Sequence, residues 1–442
     1  MNSRPIRHLQ ERVRTFTWTS TRAMFRIAII LALALASICV IVSHYLINAL
    51  GKGHQSGFAA VGKGASFFAE HAGPTGVKLA QIISARRDLF DPRCLAPLER
   101  LCDTANVPSK REVLRTFRSA FPNEPGERLL EIDCEPIASG SVSFVLRART
   151  IRNEDIAIKF LRKNVKEKIL IDIAISRLII KLVSIFPATK SVPLEEIFNS
   201  FSSILIEQCD MRIEARNMID LSPLLEIRIP ILHDDLIEET SLGMEYINIR
   251  SRISSEEIPD SDFRSYALFV LREVYNMVFV HGIIHGDIHP GNVVLDDRNN
   301  VVLIDFGLVV RINQIDRRRL RCLFFGVITG DFKLVSSVIL ESASSIPREI
   351  NTTLFEASVE RLVSTVRGVT VGDFLVTEFA YKLFEIQRRF GLRGAPSFAN
   401  AIWVLAMYEG LVRARFPSLA FQSEALSILM KPYHNQSRSV LR

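Results

Sequence analysis

The residues best able to do chemistry form one run, His285-Gly286-Asp287-Ile288-His289-Pro290-Gly291-Asn292, followed downstream by Asp305-Phe306-Gly307. Phosphoryl transfer needs a carboxylate beside the attacking hydroxyl and oxygen ligands for Mg2+. An Asp with an Asn five residues later on one tight loop can supply both. A second Asp at the end of the apolar run 301–304 can complete the metal site, and the glycine near it lets the backbone turn sharply. His281, His285 and His289 recur at every fourth position, which on a helix would align a zinc face. Gly282, Gly286, Pro290 and Gly291 make that stretch a poor continuous helix, so zinc is the weaker reading.

Upstream, Ile156-Ala157-Ile158-Lys159 has the pattern of a strand that delivers a lysine to nucleotide phosphates. A lysine alone on a strand is usually a solvated edge residue. Followed by the Asp–Asn loop and the Asp-Phe-Gly segment in this order, Lys159 reads as a phosphate contact. Before it, Ala138-Ser139-Gly140-Ser141 joins two strand-like runs with residues small enough for backbone N–H groups to approach a phosphate.

The elements that must position these groups follow from composition and patterning. Residues 58–127 read mainly helical, after a flexible Gly-rich hinge at 51–57. Residues 128–160 carry β-branched and aromatic residues between turn signals, as a small antiparallel sheet would. Helices are predicted over 165–186 and 193–225, and strand-like character returns at 226–247. From about residue 261 the pattern is helical to the end, broken at 282–310 by short apolar runs and turns. The expected fold is α+β, with an N-lobe over 128–247 and a helical C-lobe over 248–432 that carries the catalytic loop.

From about residue 60 to about residue 432 the chain resembles the UbiB family of atypical kinases, also called the ADCK group. Beyond the kinase-like set, Gly73-Pro74-Thr75-Gly76-Val77-Lys78-Leu79-Ala80-Gln81 is similar to the family's K-x-G-Q segment. The 136–142 run resembles its Ala-rich loop, and Glu409-Gly410 its C-terminal region. The resemblance implies a two-lobed protein-kinase-like fold that binds ATP and Mg2+. Lys159 would contact the phosphates, Asp287 would be the catalytic acid, and Asn292 and Asp305 would hold metal. Ala138, Ser139, Gly140 and Ser141 would cover the nucleotide, and Met244, in Gly243-Met244-Glu245-Tyr246, would lie on the strand that reads the adenine edge. Lys78 and Gln81 would belong to a lid over the site.

Several positions depart from the family pattern. Ala80 replaces the glycine of K-x-G-Q, and Phe144 stands where Gln is common. The family's E-x-D segment aligns with Gln208-Cys209-Asp210. Gln208 can hydrogen-bond Lys159 but cannot supply a counter-charge. Gly286 occupies the position of the arginine that receives an activation-loop phosphate in conventional protein kinases.

The N-terminus adds a membrane reading. Residues 27–50 contain no Lys, Arg, Asp or Glu, and as a helix would span roughly 36 Å, enough to cross a hydrocarbon core. A basic tail over 1–26 carries Arg4, Arg7, Arg12, Arg14, Arg22 and Arg26 against Glu11. A single-pass anchor in a bacterial or mitochondrial inner membrane is the expectation. A cleaved signal around Ala34-Leu35-Ala36, a transit peptide and a packed helix are its rivals. The net charge of +7 owes much to that tail, which argues against a nucleic-acid partner. The six cysteines form no C-x-x-C pair and read as buried hydrophobes in a reducing compartment.

The expected function is a Mg-ATP-dependent kinase or ATPase supporting ubiquinone biosynthesis. Membrane lipid, isoprenoid-quinone intermediates and quinone-biosynthesis enzymes are its expected partners. A small-molecule phosphotransferase and a nucleotide-gated scaffold are the alternatives, the latter motivated by Gln208.

Overall fold

The computed structural model describes residues 28–30, 32–33, 35–43, 56–72, 76, 80, 92–99, 107–121, 129–183, 194–253, 255–289, 291–347, 349–365, 376–394 and 421–430, with isolated positions between 401 and 416. The 1–26 tail, Lys78 and Gln81 lie outside the described residues. The chain divides into two compact units. One holds Met1–Ala215 and Ile231–Tyr246, the other Arg216–Pro230 and Ile247–Arg442.

The first unit is built on an antiparallel sheet. Its strands are β1 (Leu129–Ile132), β2 (Ala138–Ser139), β3 (Ser143–Thr150), β4 (Asp155–Leu161), β5 (Leu232–Ile237) and β6 (Ser241–Glu245). They run in the order β1-β3-β4-β6-β5, with β2 paired to β3. Side chains alternate along a strand. On β4 this sends Ile156, Ile158 and Phe160 into one core with Phe144, Leu146 and Ala148 of β3. The helix α3 (Lys110–Ala120), which follows α1 (Ser56–His71) and α2 (Pro92–Glu99), covers that face with Val113 and Phe117. Phe144 stacks on Phe160 at 5.8 Å between ring centroids, so the residue at this position serves the core. The same alternation puts Lys159 on the opposite face.

Three helices follow β4 in sequence: α4 (Val165–Val183), α5 (Leu194–Glu207) and α6 (Met211–Leu221). The single helix expected over 193–225 is two. Asp210 breaks it: its Oδ1 accepts from the Arg212 amide at 3.0 Å, and its carbonyl accepts from the Ile213 amide at 3.0 Å. A side chain that satisfies orphan amides in this way starts a new helix.

The membrane-span expectation is not supported. Within 27–50 the described positions from 28 to 43 are helical, but among the described residues no helix is long and apolar enough to cross a membrane. Part of the apolar run packs against its own protein instead. Ile30 joins Ile171 and Ile175 of α4, with Phe68 of α1 beside them. Gly64 of α1 comes so close that an added Cβ would lie 2.3 Å from the Ile41 side chain.

In the second unit, β7 (Ile249–Arg252), β9 (Val293–Asp296) and β10 (Val301–Leu303) form one small sheet, and β8 (Ile283–His285) pairs with β11 (Val309–Arg311). The helices are α7 (Asp260–Tyr275), α8 (Gln314–Thr329), α9 (Phe332–Ser342), α10 (Thr352–Ser364), α11 (Val376–Arg389) and α12 (Phe421–Leu429). A single π-turn, Asn276–His281, links α7 to β8 and ends at Gly282.

Gly282 adopts φ +71°, a left-handed conformation open mainly to glycine, and an added Cβ would sit 2.9 Å from the Ile312 carbonyl oxygen. That glycine sets the chain's entry into the 283–292 loop. Gly282→Ala is therefore expected to lower stability by about 1–3 kcal/mol, the usual cost of a strained backbone position. Urea unfolding of the variant beside the parent protein measures it; equal midpoints would contradict the role given to this turn.

Candidate functional site

Lys159 is 8% exposed, so its ammonium needs a paired charge close by. Glu214 supplies it: Nζ donates to Oε1 at 2.7 Å, and both side chains are about nine-tenths buried. The expectation that the aligned Gln208 leaves Lys159 without a counter-charge is thus corrected. Once the helix is interrupted at Asp210, α6 starts afresh and brings Glu214 to the lysine. Gln208 itself lies in the connecting turn, where its amide donates to the Ile204 carbonyl at 3.0 Å.

The small-residue loop sits on the same sheet. Ala138 and Ser139 pair with Val145 and Phe144, and the Gly140 amide donates to the Ser143 carbonyl at 2.8 Å, closing a hairpin. Arg162, just beyond β4, ties this loop down. Its Nε donates to the Gly140 carbonyl at 3.0 Å and its Nη2 to Ser139 Oγ at 2.8 Å, while Nη1 meets Glu112 at 3.4 Å. The sequence reading gave Arg162 no role. Ser141 lies in the bend of the hairpin, and Met244 lies on β6 opposite Ala157 of β4. Ala80 packs in a cluster with Ala69, Leu95 and Leu98.

The second unit brings Asp287, Asn292 and Asp305 together through hydrogen bonds. Asn292 Nδ2 donates to the Asp287 carbonyl at 2.9 Å, and the Ile304 amide donates to the Asn292 carbonyl at 2.9 Å. His285 joins the two segments: its Nε2 bonds the Asp305 carbonyl oxygen at 2.7 Å, and its Nδ1 accepts from the Asp287 amide at 3.3 Å. A carbonyl only accepts and an amide N–H only donates, so Nε2 carries the proton and the ring is neutral. Burial pushes the imidazole pKa down, outweighing the pull of Asp287 and Asp305, which agrees with a neutral ring.

Asp305 has φ +61°, an uncommon conformation for a residue other than glycine. Its Oδ1 accepts from the Gly307 amide at 3.2 Å, and the side chain is exposed. Phe306 is buried and meets the His285 ring edge-on, with centroids 5.2 Å apart. Asn217, one turn beyond Glu214 on α6, donates from Nδ2 to the Phe306 carbonyl at 3.0 Å. Arg311 of β11 donates to Asn217 Oδ1 at 3.0 Å and to Asp220 at 2.7 Å. Glu214, Asn217 and Arg311 were all missed by sequence reasoning. The available signal was an acid and an amide three residues apart on a helix that starts directly after an Asp cap.

The donor set fits a hard cation. Asp305 offers a carboxylate and Asn292 an amide oxygen, which are ligands Mg2+ accepts. Among the described residues no group of three or more His, Cys, Asp or Glu could hold a metal, and His285 is committed to two backbone partners. A magnesium ion here would complete its shell with ligand oxygens from elsewhere, as nucleotide phosphates provide.

Because Lys159 and Glu214 are both buried, removing one partner leaves an uncompensated charge. Glu214→Ala is expected to cost about 3–5 kcal/mol, while the double variant Lys159→Met/Glu214→Leu recovers most of that loss. Chemical denaturation of the three proteins measures both. A single variant as stable as the parent would show that the pair is not a structural requirement.

The family pattern described as the ABC1 atypical kinase-like domain matches residues 100–339. The chain is 27% identical over 364 residues to "Probable protein kinase UbiB" of Tolumonas auensis, covering 79% of this chain and 66% of that protein. It is 25% identical over 380 residues to the protein of the same name in Vibrio atlanticus, covering 83% of this chain and 70% of that one. Among solved structures, the Rv3197–erythromycin complex from Mycobacterium tuberculosis superposes with a TM-score of 0.55 at 16% identity, over 73% of this chain and 83% of that chain. That likeness speaks to the fold alone. On the match across residues 100–339, this chain belongs to the ABC1 atypical kinase-like family.

Proposed function

We propose that the protein binds Mg-ATP and acts as an atypical kinase or ATPase that supports ubiquinone biosynthesis. The observation that carries this reading is the Asp287–Asn292–Asp305 assembly, in which His285 and Asn217 hold both segments by their backbones. Bound Mg2+ would neutralise charge developing on the transferred phosphoryl group. Asn292 and Asp305 are its ligands in this reading. Asp287 orients the attacking hydroxyl or water. Lys159, fixed by Glu214, contacts the phosphates, and the Ala138–Ser141 loop offers its amides to them. Met244 lies on the strand proposed to face the adenine. Lys78 and Gln81 keep the lid role that the resemblance assigns.

The quinone assignment rests on the UbiB name of the relatives and on the family resemblance. Isoprenoid-quinone intermediates dissolve in membranes, so membrane lipid and quinone-biosynthesis enzymes are the proposed partners. A bacterial or mitochondrial inner membrane is the proposed location. The scaffold alternative rests on the absent carboxylate at Gln208, while Lys159 pairs with Glu214.

Asp305→Asn is the decisive variant. Asn tolerates the left-handed conformation that Asp305 adopts, so the fold should persist. Loss of a charged ligand worth several kcal/mol at the metal should lower Mg-dependent ATP turnover by at least about 100-fold. The assay uses the full chain with and without quinone-containing membrane lipid. Full turnover in a folded variant would remove Asp305, and this mechanism, from the proposal.

A further inference from the structure

Arg162 follows β4 and reaches back to the bend that joins β2 to β3. Its backbone amide donates to the Val142 carbonyl at 2.9 Å. An arginine beside a nucleotide-covering loop would ordinarily be read as a phosphate contact. Here each guanidinium nitrogen already meets a protein acceptor: Nε the Gly140 carbonyl, Nη2 the Ser139 hydroxyl and Nη1 the Glu112 carboxylate. The side chain is 15% exposed, so these contacts are largely shielded from water. Its planar fork is spent on shaping the loop.

The orientation of one peptide follows. A trans peptide is planar, and its C=O and N–H point in opposite directions. Arg162 Nε holds the Gly140 carbonyl, so the Ser141 N–H of the same peptide points away from the guanidinium. The Gly140 amide is taken up by the Ser143 carbonyl, whereas the Ser141 amide has no backbone acceptor among the described residues. Turning that peptide over would present a carbonyl oxygen where an N–H now stands, and an anion is bound by N–H groups.

Glu112 ties the same guanidinium to α3. Ser109 caps that helix, its Oγ accepting from the Glu112 amide at 3.3 Å. The spacing Ser109-x-x-Glu112 is that of a capping box, in which the glutamate turns back to the amide of the capping residue. Its carboxylate meets Arg162 as well, at 3.4 Å. The helical extension and the loop thus share one guanidinium.

On the Mg-ATP reading above, we propose that Arg162 is the positioning residue of the nucleotide loop, aiming the Ser141 amide at the phosphates, and that Glu112 of α3 sets its grip. The extension then tunes nucleotide affinity through this arginine. An amide contact made alike before and during transfer affects KM rather than kcat.

Calorimetric titration of the full chain with Mg-ATP, beside its turnover, tests this. Arg162→Lys keeps the charge and loses the fork. It should weaken binding and raise KM about tenfold, the scale of a hydrogen bond to a charged group, with kcat within about twofold of the parent. Glu112→Ala should weaken binding about threefold, as suits a partly exposed pair, and Glu112→Gln, which keeps an acceptor oxygen, less. Hydrogen exchange at the Gly140 amide of the free protein gives a readout that needs no nucleotide, and it should speed up in Arg162→Lys. Faster exchange with the parent's affinity and KM would overturn the inference and leave the Mg-ATP reading standing. So would unchanged exchange, or a fall in kcat at unchanged KM. A parent protein that binds no nucleotide would remove the Mg-ATP reading, and this role of Arg162 with it.

Discussion

A lysine ammonium placed on a buried strand must have a carboxylate beside it, and much of this structure follows from that demand. Strand alternation turns Lys159 away from the Phe144–Phe160 core. Glu214 reaches it only because the chain stops one helix at Glu207 and starts another at Met211, with Asp210 satisfying the new helix's first amides. The same short helix then carries Asn217 to the Phe306 carbonyl. The cap at Asp210 starts the helix that bears both residues. The boundary between the two compact units falls between these residues, after Ala215.

In the second unit the equivalent constraint is a neutral imidazole. Two backbone groups of opposite hydrogen-bonding sense, the Asp305 carbonyl and the Asp287 amide, can both be satisfied by one ring only if the proton sits on Nε2. Burial favours that uncharged state. This is why the every-fourth-residue histidine spacing carries no metal face here. His285 lies on β8, paired with β11, so helical periodicity does not apply to it. The left-handed backbone at Asp305 is tolerated because its carbonyl, its carboxylate and the Phe306 carbonyl are all engaged.

The sheet and the helical second half were legible in the sequence, because each rests on a local pattern of alternation, turn residues or fixed spacing. What it hid depended on pairing across distance or on a contest between local signals. Gln208 looked like the residue facing Lys159 because alignment counts positions along the chain. The helix break at Asp210 changes which residue arrives. Residues 27–50 read as a span by hydropathy, and nothing in that pattern announces that Ile30 contacts Ile171 and Ile175, more than a hundred residues away in sequence. Arg162 and Arg311 carry no signature at all: an arginine after a strand is ordinary until its guanidinium is seen to hold a loop.

Gly286 shows how these ties bear on control. Conventional protein kinases keep an arginine at this place to receive a phosphate that orders the activation segment. Here an added Cβ would lie 2.7 Å from Leu308 Cγ, and the Gly286 amide donates to the Leu308 carbonyl at 2.8 Å. The space is already filled by the segment that a phosphate would otherwise have to recruit. Arg311 and Asn217 extend the same attachment, with Asp220 balancing the guanidinium charge. A segment held by neutral backbone bonds and an internal ion pair gains little from a phosphate, and an added dianion beside Asp220 would be repelled. Order around Asp305 therefore rests on bonds the chain makes by itself: His285 to the Asp305 carbonyl, Asn217 to the Phe306 carbonyl and Gly286 to the Leu308 carbonyl.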